Sequence, residues 1–187
     1  MACEARDLLV EGSEDRLRTA YLQYPVHYDD VLNAVHARLL TQRAATKLDL
    51  AALITWKHIN NAPWMTELLE MPDVRVQEIT AAAMVPDLKD DERVAALDGL
   101  PGFGAGAAFT SVLLTAWNPS QFGVYDQRVA KERGVIVSPA CTCDWSFLPR
   151  YWDHLRRIAQ QMSVTGEAWT PRMAELAMWN LSAQTRK

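Results

Sequence analysis

Leu97-Asp-Gly-Leu-Pro-Gly-Phe-Gly104, followed further along by Asp126 in Phe122-Gly-Val-Tyr-Asp126, is the stretch that decides how this chain folds. Leu97 and Leu100 close one apolar run. Pro101 cannot donate into a helix and restricts the residue before it, while Gly102 and Gly104 permit backbone conformations closed to other residues. A second helix then starts. Phe109, Val112, Leu113, Ala116 and Trp117 follow the helical period, and the run stops before Asn118-Pro119. The pattern predicts two helices joined by a hairpin over about residues 91–117, then a loop over 118–126 that ends on a carboxylate. Small residues at 102, 104, 105 and 106 leave the start of the second helix uncovered, so its N–H groups and positive dipole end can meet an anion. A sugar–phosphate backbone is such an anion.

Outward from this stretch the chain continues to read as helix. Leu32, Val35 and Leu39 lie on one face behind Asp29-Asp30 and predict a helix ending near Arg43. Thr46-Lys-Leu-Asp49 resembles a capping box, and Leu48, Ala52, Trp56 and Ile59 predict the buried stripe of the helix that follows. Pro63 and Pro72 bracket a third helix, and residues 73–85 make a fourth. After a short helix over 126–133, residues 134–149 read as an irregular connection. Tyr151, Leu155, Ile158 and Met162 mark a further helix, and Thr170-Pro171 caps a last one through Trp179. With no strand pattern longer than four residues, the expectation is a compact all-α fold: a loose segment over 1–20, then one helical domain over 21–187.

Composition bounds the function. A chain of 187 residues that is 49% hydrophobic and 22% charged can bury a full core. No apolar run approaches the roughly 18 residues needed to cross a bilayer, and Met1-Ala-Cys-Glu-Ala-Arg-Asp carries acids where a signal peptide carries bases, so the expected location is the cytoplasm, with no membrane partner. Cys3, Cys141 and Cys143 form no even disulfide framework, and Cys141-Thr-Cys143 is too sparse to hold a metal. His27, His36, His58 and His154 show no metal-ligand spacing. The net charge of −4 opposes a strongly basic nucleic-acid face. Charge can still be segregated: Arg128, Lys131 and Arg133 follow Asp126, and Arg150, Arg156 and Arg157 sit on a later helix.

Leu100-Pro-Gly-Phe-Gly104, the helix to Trp117, Pro119 and Gly123 in the loop, and Asp126 together resemble the signature of the helix-hairpin-helix DNA glycosylases, the superfamily of endonuclease III, the adenine glycosylase and 8-oxoguanine glycosylase. The likeness covers about residues 91–134. It implies a DNA N-glycosylase of base excision repair; because basic residues are few, the expected DNA binding is weak and largely non-specific, and the expected state is a monomer. Gly102, Phe103, Gly104, Ala105 and Gly106 would clamp phosphates, with Arg128 and Lys131 beside them. The hairpin carbonyls would coordinate a monovalent cation, as in relatives. Asp126 takes the catalytic role: an anion held against C1′ stabilises the oxocarbenium-like sugar formed as the glycosidic bond breaks, once the base has left the stack. Asp126 can equally be the N-cap of the next helix.

Relatives that also cut the strand place a lysine two residues beyond the hairpin's last glycine. Here that position is Gly106, which implies a monofunctional enzyme that uses water and leaves an abasic site. Lys57 is a substitute amine, although a lysine beside an apolar face ordinarily snorkels to water. Asn60-Asn61 resembles the asparagine run that fills the gap left by the flipped base in 8-oxoguanine glycosylases, and Gln42 resembles a glutamine of endonuclease III; polar residues at a helix end are also ordinary caps. Among seven tryptophans, Trp56, Trp117, Trp152 and Trp179 fall on or beside apolar stripes and read as core, while Trp56 and Trp179 are also candidates to stack an extruded base. Some relatives carry a four-cysteine iron–sulfur cluster, which three cysteines cannot build. Two other functions fit the same residues: a catalytically silent DNA-binding or protein-interaction module, and a hydrolase of free nucleosides or other small molecules.

Overall fold

The computed structural model describes residues 9–59, 63–104, 108–131, 147–164 and 166–184, without the side chains of 130, 131 and 184. It contains ten α-helices and no β-sheet among these residues, an all-α fold. The helices are α1 (Ser13–Leu22), α2 (Asp30–Gln42, after a 3-10 turn Val26–Asp29), α3 (Lys47–Trp56), α4 (Trp64–Glu70) and α5 (Asp73–Ala83), then α6 (Asp90–Leu97), α7 (Ala108–Trp117), α8 (Gln127–Lys131), α9 (Leu148–Ser163) and α10 (Pro171–Gln184). They form two compact units. Residues 26–118 make one, and the residues before and after this segment make the other.

In the 26–118 unit α7 lies at the centre. Every residue from Phe109 to Ala116 is buried, beyond the single stripe the sequence pattern implied, and α2 and α3 pack against it. On α2 the face of Leu32, Val35 and Leu39 is buried as expected. The start of α3 is the predicted capping box: Asp49 Oδ2 accepts the Thr46 N–H at 2.9 Å, and the Thr46 hydroxyl accepts the Asp49 N–H. Asp49 also receives Arg38 Nε at 2.7 Å, which ties α3 to α2. The expected stripe on α3 has the wrong phase, because Leu50 and Leu53 are buried whereas Leu48 is 69% exposed. Leucines stand at 48, 50 and 53, and periodicity alone cannot choose between the two faces they offer.

Asp73 opens α5 and accepts the Lys47 backbone N–H at 2.7 Å; this bond, helped by Gln77, holds the carboxyl below its ordinary range. A carboxyl depressed in the folded state contributes stability that is present above its unfolded value and is lost as pH falls through the folded one. Asp73→Asn should therefore flatten the loss of stability below about pH 4 in acid unfolding. An unchanged acid limb would show that the Lys47 bond does not hold in solution.

Arg93 on α6 is buried and donates to the carbonyls of Ala83, Val85, Pro86 and Leu88, which closes the end of α5 and the turn after it. Its guanidinium lies 4.6 Å over the Trp117 ring. Trp117 is consequently half-buried beneath a cation, not a core side chain as its place on the α7 stripe suggests.

In the other unit α1 packs on α10, and α10 on α9. The expected loose start is corrected from Ser13 onward, since Leu17 and Ala20 of α1 are buried and Asn180 donates to the Ala20 carbonyl. On α9, Tyr151, Leu155, Ile158 and Met162 are buried together with Trp152, as the spacing predicts. Thr170 caps α10 by accepting the Met173 N–H at 3.2 Å, ahead of the first-turn Pro171. Most of the 134–149 connection, including Cys141, Cys143 and Trp145, lies outside the described residues. No described helix is long and apolar enough to cross a membrane.

Candidate functional site

The hairpin between α6 and α7 folds as two tight turns, with Leu100 N–H donating to Leu97 and Phe103 N–H to Leu100. Gly102 has φ +84°, and a Cβ there would lie 2.3 Å from the Trp64 ring. Only glycine lets that indole rest on the turn, where it stacks on Phe109 at 5.8 Å while Phe103 tilts against Phe109 at 4.7 Å. Gly102→Ala should cost about 1–3 kcal/mol through backbone strain and the displaced indole. A denaturation midpoint at the wild-type value would contradict this packing.

The expectation of open hairpin amides needs correction at two positions. Phe103 N–H is used inside the turn, and Gly104 N–H donates to the Thr110 hydroxyl at 3.0 Å, which in turn donates to the Gly104 carbonyl. The Gly102 N–H has no acceptor among the described residues. Ala105 and Gly106 lie outside those residues, as do Asn60 and Asn61. Of the hairpin carbonyls, those of Leu100 and Gly104 each accept one hydrogen bond, from Phe103 N–H and from the Thr110 hydroxyl. Among the described residues no cluster of His, Cys, Asp and Glu could hold a metal ion.

Asp126 stands at the start of α8. Its Oδ1 accepts the Arg128 backbone N–H at 2.8 Å, so the N-cap reading of this residue is realised. The Arg128 side chain adds two parallel bonds, Nε to Oδ1 and Nη2 to Oδ2, both 3.0 Å. The hydrogen bond to Asp126 pushes the Arg128 guanidinium above its ordinary range, against the opposing effect of burial. Asp126 is 14% exposed at its side chain and Arg128 40%. The guanidinium also lies 4.9 Å over the Trp179 ring on α10, and Tyr24 meets that indole edge-on at 5.9 Å. Three residues singled out separately in the sequence, Asp126, Arg128 and Trp179, thus share one half-exposed cluster of carboxylate, guanidinium and indole.

No family model, curated protein or solved structure matches this chain.

Of the remaining candidates, Trp56, Lys57 and Gln42 belong to the 26–118 unit. Trp56 is half-buried and donates its indole N–H to the Tyr28 carbonyl, and Lys57 caps α3 through its backbone. Gln42 is exposed at the other end of the α2–α3 pair, about 20 Å of helix away. Gln42 and Trp56 therefore do not line one pocket. The Lys131 side chain lies outside the described atoms. Tyr24 is absent from any motif, and only folding brings it from the end of α1 to Trp179; no signal in the sequence marks it.

Proposed function

We propose that this protein is a monofunctional DNA N-glycosylase that hydrolyses the bond between a damaged base and its deoxyribose, with Asp126 as the anion that stabilises the oxocarbenium-like sugar. The carrying observation is the shared cluster of Asp126, Arg128 and Trp179. The three N–H donors fix the orientation of the carboxylate, and it serves the sugar cation as an anion once the guanidinium has moved away. Beside it, the half-buried Trp179 indole, over which the Arg128 guanidinium lies, offers a surface for an extruded base when that guanidinium moves. Arg128 is the residue that must exchange partners: its 40% exposed guanidinium can pass from Asp126 to a phosphate, which leaves the carboxylate to the sugar. The Leu100–Gly104 turn supports the same reading as a backbone contact to phosphate, with Gly102 N–H as its donor among the described residues.

Incubation with a panel of lesion-bearing duplexes is expected to release free base and leave alkali-labile abasic sites. No strand should break before alkali, and borohydride should trap no adduct, because Gly106 replaces the amine nucleophile. A trapped adduct that disappears in Lys57→Ala would overturn the monofunctional assignment.

One observation favours a second reading. The paired bonds from Arg128 neutralise Asp126, as suits a helix cap in a catalytically silent DNA-binding module. Duplex binding without release of any base would establish that reading. Hydrolysis of free nucleosides without duplex binding would move the substrate to small molecules. Binding itself is expected to be weak, with a shallow salt slope of about two to five phosphate contacts, and Gly104→Asp should abolish it by placing a like charge at the phosphate. Unchanged binding in this variant would remove the hairpin from the interface.

A further inference from the structure

The loop that delivers Asp126 is held by the buried polar atoms of side chains that bond its backbone. Val124 is gripped on both sides of its backbone: its N–H donates to Glu175 Oε2 at 3.3 Å, and its carbonyl accepts the Tyr151 hydroxyl at 2.8 Å. The preceding carbonyl, of Gly123, accepts the Trp152 indole N–H at 3.0 Å. Gly123 lies so close beneath α9 and α10 that a Cβ would sit 2.4 Å from Leu155 and 3.1 Å from Glu175. Phe122 is wedged edge-on against Trp152 at 4.8 Å, and Tyr125 edge-on against Tyr151 at 5.3 Å. Glu175 is itself paired with Arg172, both buried.

We infer that Tyr151, Trp152 and Glu175 are positioning residues, which fix the direction of the Asp126 carboxylate by gripping the backbone of Gly123 and Val124. The inference rests on the glycosylase reading for its kinetic consequence. A core that needed only apolar packing would place no hydroxyl, indole N–H and carboxylate on three successive polar atoms of one loop, because each costs free energy to bury unless it is hydrogen-bonded. Tyr151 is fully buried, and burial first, then the Glu175 charge, pushes its phenol well up, so it stays a neutral donor to the Val124 carbonyl. The Asp126 carboxylate is two residues from that carbonyl. A displacement of about 1 Å at the loop is carried to it directly, and such a displacement can cost about a hundredfold in rate.

The test is Tyr151→Phe, which removes one oxygen and keeps the ring. Two quantities are read: the single-turnover rate of base release beside the duplex Kd, and the exchange rate of the Arg128 Nε–H by NMR, which reports the Asp126 pair without any substrate. The expected result is a rate reduced about tenfold to a hundredfold with Kd unchanged, and Nε–H exchange faster by about tenfold or more. A merely structural hydroxyl would lower the melting temperature and move neither. Unchanged exchange, or an unchanged rate of release, in folded Tyr151→Phe overturns the inference. If the wild-type protein releases no base, the glycosylase reading fails alone, and the exchange rate still decides whether the grip positions Asp126. Should Tyr151→Phe not fold, Trp152→Phe poses the same question at the Gly123 carbonyl, with the same readouts.

Discussion

Asp126→Asn is expected to reduce base release by about 10² to 10³-fold or more, while leaving the fold and duplex binding intact. Asparagine is nearly isosteric and is as good an N-cap as aspartate, so its Oδ1 still accepts the Arg128 backbone N–H at the start of α8. Loss of the ion pair itself should matter little to stability. Arg128 is 40% exposed, and partly solvated pairs of this kind contribute about 0–1 kcal/mol. What disappears is the full negative charge that a developing sugar cation would meet, and an amide dipole does not replace it at low dielectric. The measurement is a single-turnover assay on whichever lesion the wild-type protein processes, paired with a duplex Kd. Release at the wild-type rate would remove Asp126 from the chemistry and leave it a helix cap. A parallel loss of duplex binding would instead show that the Asp126–Arg128 pair organises the DNA contact.

What the sequence made legible follows from how each signal is carried. The α9 face of Tyr151, Leu155, Ile158 and Met162 is readable because large apolar residues recur at one phase only, and all four are buried. On α3 the same logic fails, since Leu48, Leu50 and Leu53 fit either side of the helix and tertiary packing chooses the side of Leu50 and Leu53. Arg93 reads as one more charge on a solvated helix; its burial depends on four carbonyls at the end of α5 and in the turn after it, which no local pattern announces. The candidate site divides in the same way. The bond from Arg128 to Asp126 is local, two residues apart, and the capping potential of Asp126 is visible in the chain itself. The approach of Trp179 to Arg128 depends on how α10 packs on α8, and that of Tyr24 to Trp179 on how α1 and α10 pack. The satisfied amide of Gly104 depends on one rotamer of Thr110 in the first turn of α7, so a hairpin that looks open in sequence is partly closed in structure.

The tryptophans give the sharpest stability contrast, because the sequence places Trp117 and Trp152 alike on apolar stripes and the structure does not. Trp152 is fully buried, meets Phe122 edge-on and satisfies the Gly123 carbonyl through its indole N–H. Trp152→Ala removes the largest fully buried side chain among the described residues, leaves a cavity between α9 and the Asp126 loop, and strands a buried carbonyl. A loss of about 3–5 kcal/mol is expected. Trp117 is half-buried, with one ring face under the Arg93 guanidinium, so truncation there forfeits part of an area term and one cation–π contact. About 1–2 kcal/mol is expected. Chemical denaturation of both variants under one set of conditions measures the difference, provided the slope with denaturant stays at the wild-type value. Equal costs, or a larger one at Trp117, would mean that Arg93 seals that indole into the core and that the exposed side of α7 has been assigned to the wrong residue.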